Sequence, residues 1–265
     1  MENSNVLDFP LQGNLTKEKI KKAHERLLKI AVTIRDIFDE NGIPYCIAFG
    51  TVLGAVRHKG FIPWDMDFDM YVEEKDYEKA MKCLKSALPD DMVLLNSSTD
   101  PNYTAFWTKV VDINSEMRAT QFSGDNLFKY KGLHVDVYCL RKTKEYLFKE
   151  ELLKENKDYF KRKYEKKLIS EEEYNIEIER IKKEIIAERK SRNEKNVDEI
   201  LYFLSLFKGS IDCIYPLKEY EFEGEKFIGP NDFDCYLKGC YYEGDYLTPP
   251  PYEKRDTKID RLYID

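Results

Sequence analysis

The chain has only three histidines and two tryptophans, and its six cysteines include no Cys-x-x-Cys pair. Zinc chemistry is therefore not indicated. Cys235 and Cys240 stand close together, but no histidine lies near them. The scattered thiols read instead as small buried hydrophobes in a reducing cytoplasm. No run approaches 18 consecutive apolar residues, so no membrane span is expected. The start, MENSNVLDFPLQGN, lacks the basic and apolar regions of a signal peptide. A basic excess is missing too. The 43 Lys and Arg face 50 Asp and Glu, a net charge of −7, which argues against nucleic acid or an anionic membrane as partner. A small anionic substrate stays compatible where a metal or a local cationic cluster receives it.

What is present is enough chain, 265 residues, for one core and an appendage. Thr16 is placed to cap a helix whose apolar positions Ile20, Ala23, Leu27, Ile30, Ile34 and Ile37 follow helical spacing up to Asn41-Gly42. PYCIAF then reads as a short buried strand, with Gly50-Thr51 at its end and a helical turn from Leu53 to His58. FIPWDMDFDMYV reads as a second strand, Lys75–Leu88 as a helix, and YTAFWTKVV (103–111) as another strand. In Gly132–Tyr138 the alternation puts His134, Asp136 and Tyr138 on one face, with Val135 and Val137 on the other. These segments predict a small mixed α/β domain over 1–142. Residues 143–205 turn abruptly to Lys, Glu and Arg and predict a charged helical insertion of two helices. Ser170-Glu-Glu-Glu173 is a capping box, and Ile176, Ile178, Ile181, Ile185 and Ile186 are the expected inner face. This hairpin is either a plain solvated one or a cap over the site. Residues 206–265 predict a C-terminal segment packed on the core, with a strand pair at Tyr220–Ile228 and a helix at Asn231–Lys238.

The chemistry concentrates in Asp65-Met66-Asp67-Phe68-Asp69. Carboxylates at every second position share one face of an extended strand, and like charges so close together call for a cation. All-oxygen ligation suits magnesium or manganese. A solvated acidic edge strand is the plainer reading of such a pattern. Asp67 and Asp69 are the expected metal ligands, and Asp136 on a neighbouring strand the third catalytic carboxylate. Gly50 allows close approach of backbone to phosphate, and Thr51 offers a hydroxyl and an N–H at a helix start. Arg57, His58 and Lys59 form a candidate cationic cluster for phosphate. Each piece has an ordinary structural alternative: a turn, a helix end, a strand cap. Their order is the specific signal.

Strand, Gly-Thr, helix, Asp-x-Asp strand and later Asp strand resembles the nucleotidyltransferase fold of the polymerase-beta superfamily. More closely, GTVLGAVRHKGFIPWDMDFDMYV is similar to the signature of the LicD family of phosphocholine and related phosphotransferases, which fukutin-related proteins share. The match runs through Gly50, Thr51, Leu53, Gly54, Ala55, Arg57, His58, Gly60, Ile62, Pro63, Trp64, Asp65, Asp67 and Asp69, and continues in HVDVY (134–138) and in 215–237. Met66 departs from it, standing where bacterial members usually have Asp. The resemblance implies an α+β nucleotidyltransferase fold with a small mixed sheet, carrying the charged insertion and the C-terminal extension. It implies a metal-dependent, cytoplasmic transferase that moves a phospho-alcohol head group, phosphocholine or similar, from a cytidine-diphosphate-linked donor to a sugar hydroxyl. The acceptor would be a cell-surface glycan or glycolipid such as lipopolysaccharide or teichoic acid. Asp67, Asp69 and Asp136 would be the catalytic and metal-binding residues; Gly50, Thr51, Arg57, His58, Lys59, Trp64 and Asp65 would bind substrate. Trp64, Trp107 and some of the 19 tyrosines are candidates to face a quaternary ammonium. The alternatives are a nucleotidyltransferase modifying a small hydroxylated substrate with a nucleoside triphosphate, and a non-catalytic glycan- or nucleotide-binding protein.

Overall fold

The computed structural model describes residues 9–119, 127–195, 197–241 and 245–264. Thr16 opens the first helix, its hydroxyl accepting the Lys19 N–H at 3.1 Å. That helix, α1 (Lys17–Glu40), turns Ile20, Ala23, Leu27, Ile30, Ala31, Ile34, Ile37 and Phe38 inward as one buried stripe. Each of the Ile, Leu and Phe side chains stabilises the fold by roughly 1.5–3 kcal/mol on burial.

The stripe packs on one face of a mixed sheet. Among the described residues, strand β1 (Cys46–Ile47) pairs antiparallel with β2 (Asp69–Glu73), and β2 runs parallel to β6 (His134–Lys144). The near half of β6 also pairs antiparallel with β4 (Thr108–Asp112), which pairs with β3 (Met92–Leu95). Its far half pairs with β7 (Glu199–Phe203), and β7 with β8 (Phe207–Ser210). Helices α2 (Phe49–Arg57) and α3 (Glu74–Ala87) flank β2 in sequence. Two small ladders complete the molecule, β9 (Lys218–Phe222) with β10 (Glu225–Gly229), and β5 (Ser115–Ala119) with β11 (Ile259–Ile264). The short helix α6 (Ile211–Ile214) and α7 (Phe233–Tyr241) lie between β8 and the C-terminal strand. The architecture is thus the mixed α+β one expected from the sequence.

Several expectations are corrected. The strand at PYCIAF is only two residues long, because helix α2 already starts at Phe49 and takes Gly50 and Thr51 into its first turn. The acidic strand begins at Asp69. Asp65 and Asp67 precede it without ladder partners, although Met66 and Phe68 stay buried between them. Residues 103–107 likewise precede β4. The insertion forms α4 (Phe148–Glu165) and α5 (Glu171–Ser191), with the Ser170 capping box in place. Two helices offer each other only a narrow seam, so α5 buries Ile178 and Ile181, while Ile176 and Ile186 are 60% and 54% exposed. Finally, Cys213 and Cys235 form a disulfide-bonded pair, where the spacing read as unpaired thiols. The two lie 22 residues apart, and the packing of α6 against α7 brings them together.

Candidate active site

Neighbouring parallel strands decide the geometry. The β2–β6 register sets Asp69 directly beside Asp136, and strands so paired lie about 4.8 Å apart. Tyr138, one pleat further along β6, ties the two together. Its hydroxyl stands 3.0 Å from Asp69 Oδ1 and 3.1 Å from Asp136 Oδ2. A phenol has one proton to donate, so it cannot satisfy both carboxylates at once. Asp67 approaches from the chain before β2, and its side chain is hydrogen-bonded to that of Asp65.

Four carboxyl groups therefore crowd one recess. Burial, then Asp65, Asp69 and Asp136, push the Asp67 carboxyl well above the usual carboxylate range. Burial, then Asp136 and Asp65, do the same to Asp69. Burial also raises Asp65, against the pull of its hydrogen bond to Asp67. Asp67 keeps a solvent-exposed edge, so for it the like-charge crowding weighs more than desolvation. The set lacks positive charge, and the oxygen donors suit a hard divalent ion. Among the described residues no three His, Cys, Asp or Glu are gathered closely enough to hold a metal ion as they stand.

On the β6 side stands a residue the sequence reading missed. Lys109 on β4 lies opposite Asp136 in register and is 7% exposed. Its ammonium donates to both Asp136 oxygens, at 2.9 and 3.2 Å, and lies 2.7 Å from His134 Nε2. His134 Nδ1 faces the Gly132 carbonyl at 3.1 Å and must donate to it, which leaves Nε2 as acceptor for Lys109. Burial, with Lys109 alongside, lowers the His134 pKa to about 4 and keeps the ring neutral. A lysine flanked by Trp107-Thr108 and Val110-Val111 was the available signal.

Helix α2 is tied to the acidic strand through Thr51 and held in place by its other neighbours. Thr51 is buried, and its hydroxyl accepts the Asp69 N–H at 2.9 Å; its own N–H goes to Ala48. Phe49, just before Gly50, has φ of +42°, a conformation that costs a bulky L-residue about 1–3 kcal/mol. The Tyr236 hydroxyl on α7 accepts its N–H at 2.9 Å and helps hold it there. Neither Phe49 nor Tyr236 stood out in the sequence. Gly54 is required because a Cβ there would strike the Gly60 carbonyl.

Arg57, His58 and Lys59 do not share one environment. Arg57 donates to the Tyr246 carbonyl at 2.7 Å and lies over the Trp64 ring, with Arg255 also over that ring at 5.2 Å. His58 is buried, and burial, then Arg57 and Arg255, lower its pKa to about 4, so it brings no positive charge at neutral pH. Lys59 is exposed, in a turn closed by Glu223, which accepts the Phe61 N–H at 3.0 Å and gives its own N–H to the Lys59 carbonyl. Another unforeseen residue, His24 of α1, stacks on Phe61 at 4.4 Å and donates to the Asp65 carbonyl at 2.7 Å. It fixes the approach to Asp67 from behind.

Beside the carboxylates stands an aromatic wall. Tyr138 packs against Phe49 and Trp107, each at 5.5 Å, and against Phe203 at 4.5 Å. The Trp107 indole N–H is buried without an acceptor among the described residues. The charged hairpin contacts the segment before β4 and the far half of β6: Lys166 donates to the Tyr103 carbonyl, Arg162 covers Phe106, and Glu155 pairs with Arg141. No helix of the described residues is long and apolar enough to cross a membrane.

Residues 42–172 match the nucleotidyltransferase domain of the LicD/FKTN/FKRP family. The chain is similar to the lipopolysaccharide cholinephosphotransferase LicD of Haemophilus influenzae, at 26% identity over 242 residues, which span 84% of this chain and 89% of that protein. An uncharacterised protein of Rickettsia prowazekii is 37% identical over 68 residues, 23% of this chain and 26% of its own length. A similar protein of Rickettsia typhi is 40% identical over 50 residues, 19% of this chain and 16% of its own length.

Proposed function

The chain belongs to the LicD family of phosphotransferases, and from that premise we propose that it transfers a phospho-alcohol head group from a cytidine-diphosphate-linked donor to a glycan sugar hydroxyl. Phosphocholine is the first candidate head group and lipopolysaccharide the first candidate acceptor, because they are the substrates named for the Haemophilus relative. The observation that carries the reading is Asp69 beside Asp136 on parallel strands, with Asp67 converging on them. A core of the polymerase-beta superfamily type is part of the same proposal.

Asp67 and Asp69 would hold magnesium or manganese, with Asp136 completing the site. The bound ion would neutralise phosphate charge and lower the pKa of a hydroxyl. The chain's own residues do the rest. Lys109 holds Asp136 on the β6 side, and Tyr138 orients it towards Asp69. Asp136 is then placed to accept the acceptor hydroxyl proton when that hydroxyl comes within about 2.6–3.2 Å. Thr51 fixes the backbone of Asp69 rather than offering a free hydroxyl. A quaternary ammonium is better received by Trp107 and Phe49 than by Trp64, whose ring already carries Arg57 and Arg255.

The test is a screen of cytidine-diphosphate-linked choline, ethanolamine, glycerol and ribitol with magnesium, scoring cytidine monophosphate. Release that rises with an added glycan acceptor supports the reading. Pyrophosphate release from a nucleoside triphosphate, with no turnover of any diphosphate-linked donor, would sink it.

A further inference from the structure

The β5–β11 ladder carries a feature that the catalytic reading leaves unused. Arg118 and Arg261 are direct partners across this antiparallel pair, and both are exposed. Like charges opposite each other in a ladder are destabilising, so a fold retains them at some expense. Neither guanidinium makes an ion pair or hydrogen bond among the described residues, and the same is true of Lys131. Glu116, the acidic neighbour on this face, forms no salt bridge with them either. The Lys131 carbonyl accepts the Met117 N–H at 2.8 Å, which seats Lys131 beside this ladder. Three cations without an ion pair among the described residues thus share one surface of a protein whose net charge is −7.

This surface leads to the carboxylates. A hollow of about 460 Å³ is lined by Arg118, Lys131 and Arg261, with Glu116, Met117 and Tyr263 completing its wall, so the cations outnumber the single carboxylate three to one. Arg118 and Lys131 also line a second, much narrower hollow whose other wall is Gly132, His134 and Lys109. Lys109 is a partner of Asp136, and His134 accepts from Lys109. Along the chain, Lys131 is five residues from Asp136, at most about 17 Å at about 3.4 Å per residue. The cationic face therefore begins where the proposed acceptor side of the site ends.

We propose that the Arg118–Lys131–Arg261 face binds a phosphate-bearing saccharide, so that the acceptor is recognised by a negative charge a short distance from the hydroxyl that reacts. Guanidinium pairs suit phosphate because their N–H forks match its oxygens. Tyr263 offers a ring against which a sugar can lie. This rests on the transferase reading above, and it deepens that reading by assigning charge to the acceptor and a place to its binding. Nucleic acid fits less well, since the hollow is lined by three cations among the described residues and the chain as a whole is net acidic.

Calorimetry at low salt with phosphorylated maltotetraose, tetragalacturonate, neutral maltotetraose and an eight-residue oligothymidylate tests it. Wild type should bind the phosphorylated sugar best, the carboxylate sugar more weakly, and the neutral one not measurably. Arg118→Gln with Arg261→Gln should weaken the phosphorylated sugar at least about tenfold and flatten its salt dependence. Affinity for the cytidine-diphosphate donor should not change. The melting temperature should hold or rise, because an opposed like-charge pair is gone. Lys131→Gln alone should weaken the sugar less, and it carries the test where the double variant fails to fold. Equal binding by variant and wild type overturns the proposal, as does equal binding of neutral and phosphorylated sugars, or tighter binding of the oligothymidylate. A wild type that binds phosphorylated sugar but no donor leaves this face standing and overturns the transferase reading instead.

Discussion

The carboxylate recess and the α4–α5 hairpin are both dense in charge, yet they use it in opposite ways. In the hairpin, opposite charges alternate along exposed helices. Arg180 pairs with Glu177 and Glu184 while remaining 48% exposed, and such pairs contribute at most about 1 kcal/mol each. Its two buried carboxylates are paired as well: Glu155 with Arg141, and Glu150, held at about 2 chiefly by Arg189, with Lys154 and Arg192 also paired to it. In the recess negative charge is in excess. Asp65, Asp67, Asp69 and Asp136 converge with Lys109 as the cation paired to Asp136. A helix face satisfies its own charges through i, i+3 and i, i+4 neighbours. A strand pair cannot do so when the register lines up carboxylates, and the deficit is left for something from outside. Charge density in a sequence is thus a poor guide to function, whereas unpaired charge in the fold is a good one.

The sharpest way to break this comparison is to remove the excess charge. Asp67→Asn or Asp69→Asn should lower turnover by more than about 100-fold, since even residues that only support a metal ligand are worth 10–100-fold. Thermal stability should hold or rise, because the substitution relieves like-charge crowding. Wild-type activity of either variant under saturating magnesium would end the assignment. Asp136→Asn should lose turnover comparably but still bind the cytidine-diphosphate donor. If calorimetry shows it losing donor affinity as badly as Asp67→Asn, Asp136 does not belong to the acceptor side.

Removing the cation tests the recess from the other side. Lys109→Met leaves Asp136 buried and unpaired, which should destabilise the protein by about 3–5 kcal/mol. Added magnesium should raise the melting temperature of this variant more than that of wild type. An equal magnesium response in both would show that Lys109 and a metal do not share the same negative charge.

A smaller effect should appear with pH. His24 has its folded pKa lowered to about 4 by burial, against an ordinary 6.5. A depressed folded pKa means the neutral ring is the stable one. Its contribution is complete above pH 6.5 and is lost as pH falls towards 4. Roughly 1–3 kcal/mol should disappear over that window. His24→Gln can keep the bond to the Asp65 carbonyl and should lessen the slope; identical melting curves against pH would refute the assignment. The smallest effect belongs to the hairpin. Arg180→Ala should change stability by no more than about 0.5 kcal/mol in urea unfolding, and a larger loss would mean its pairs are more than surface charge.

The amino-acid sequence by itself determined the local elements and the residues that gather. Thr16 and Ser170 mark helix starts because capping needs only a side-chain oxygen and the next turn's amides. The alternation of His134, Asp136 and Tyr138 with two valines fixes which groups share a face, since the period of a strand is two. The Gly54 and Asp67–Asp69 signature carries the family because close backbone approach and crowded carboxylates each leave few substitutes. What only the tertiary structure decided is everything that depends on which strands become neighbours. Local pattern says nothing of register, and register is what sets Asp69 beside Asp136 and Lys109 opposite it. Likewise His24, Tyr236 and Cys213 reach Asp65, Phe49 and Cys235 across more than 20 residues of chain. The early end of β1, the late start of β2 and the exposed Ile176 and Ile186 follow from the same cause. A segment's pattern states what it prefers, and the partner it finds settles how much of that preference is used.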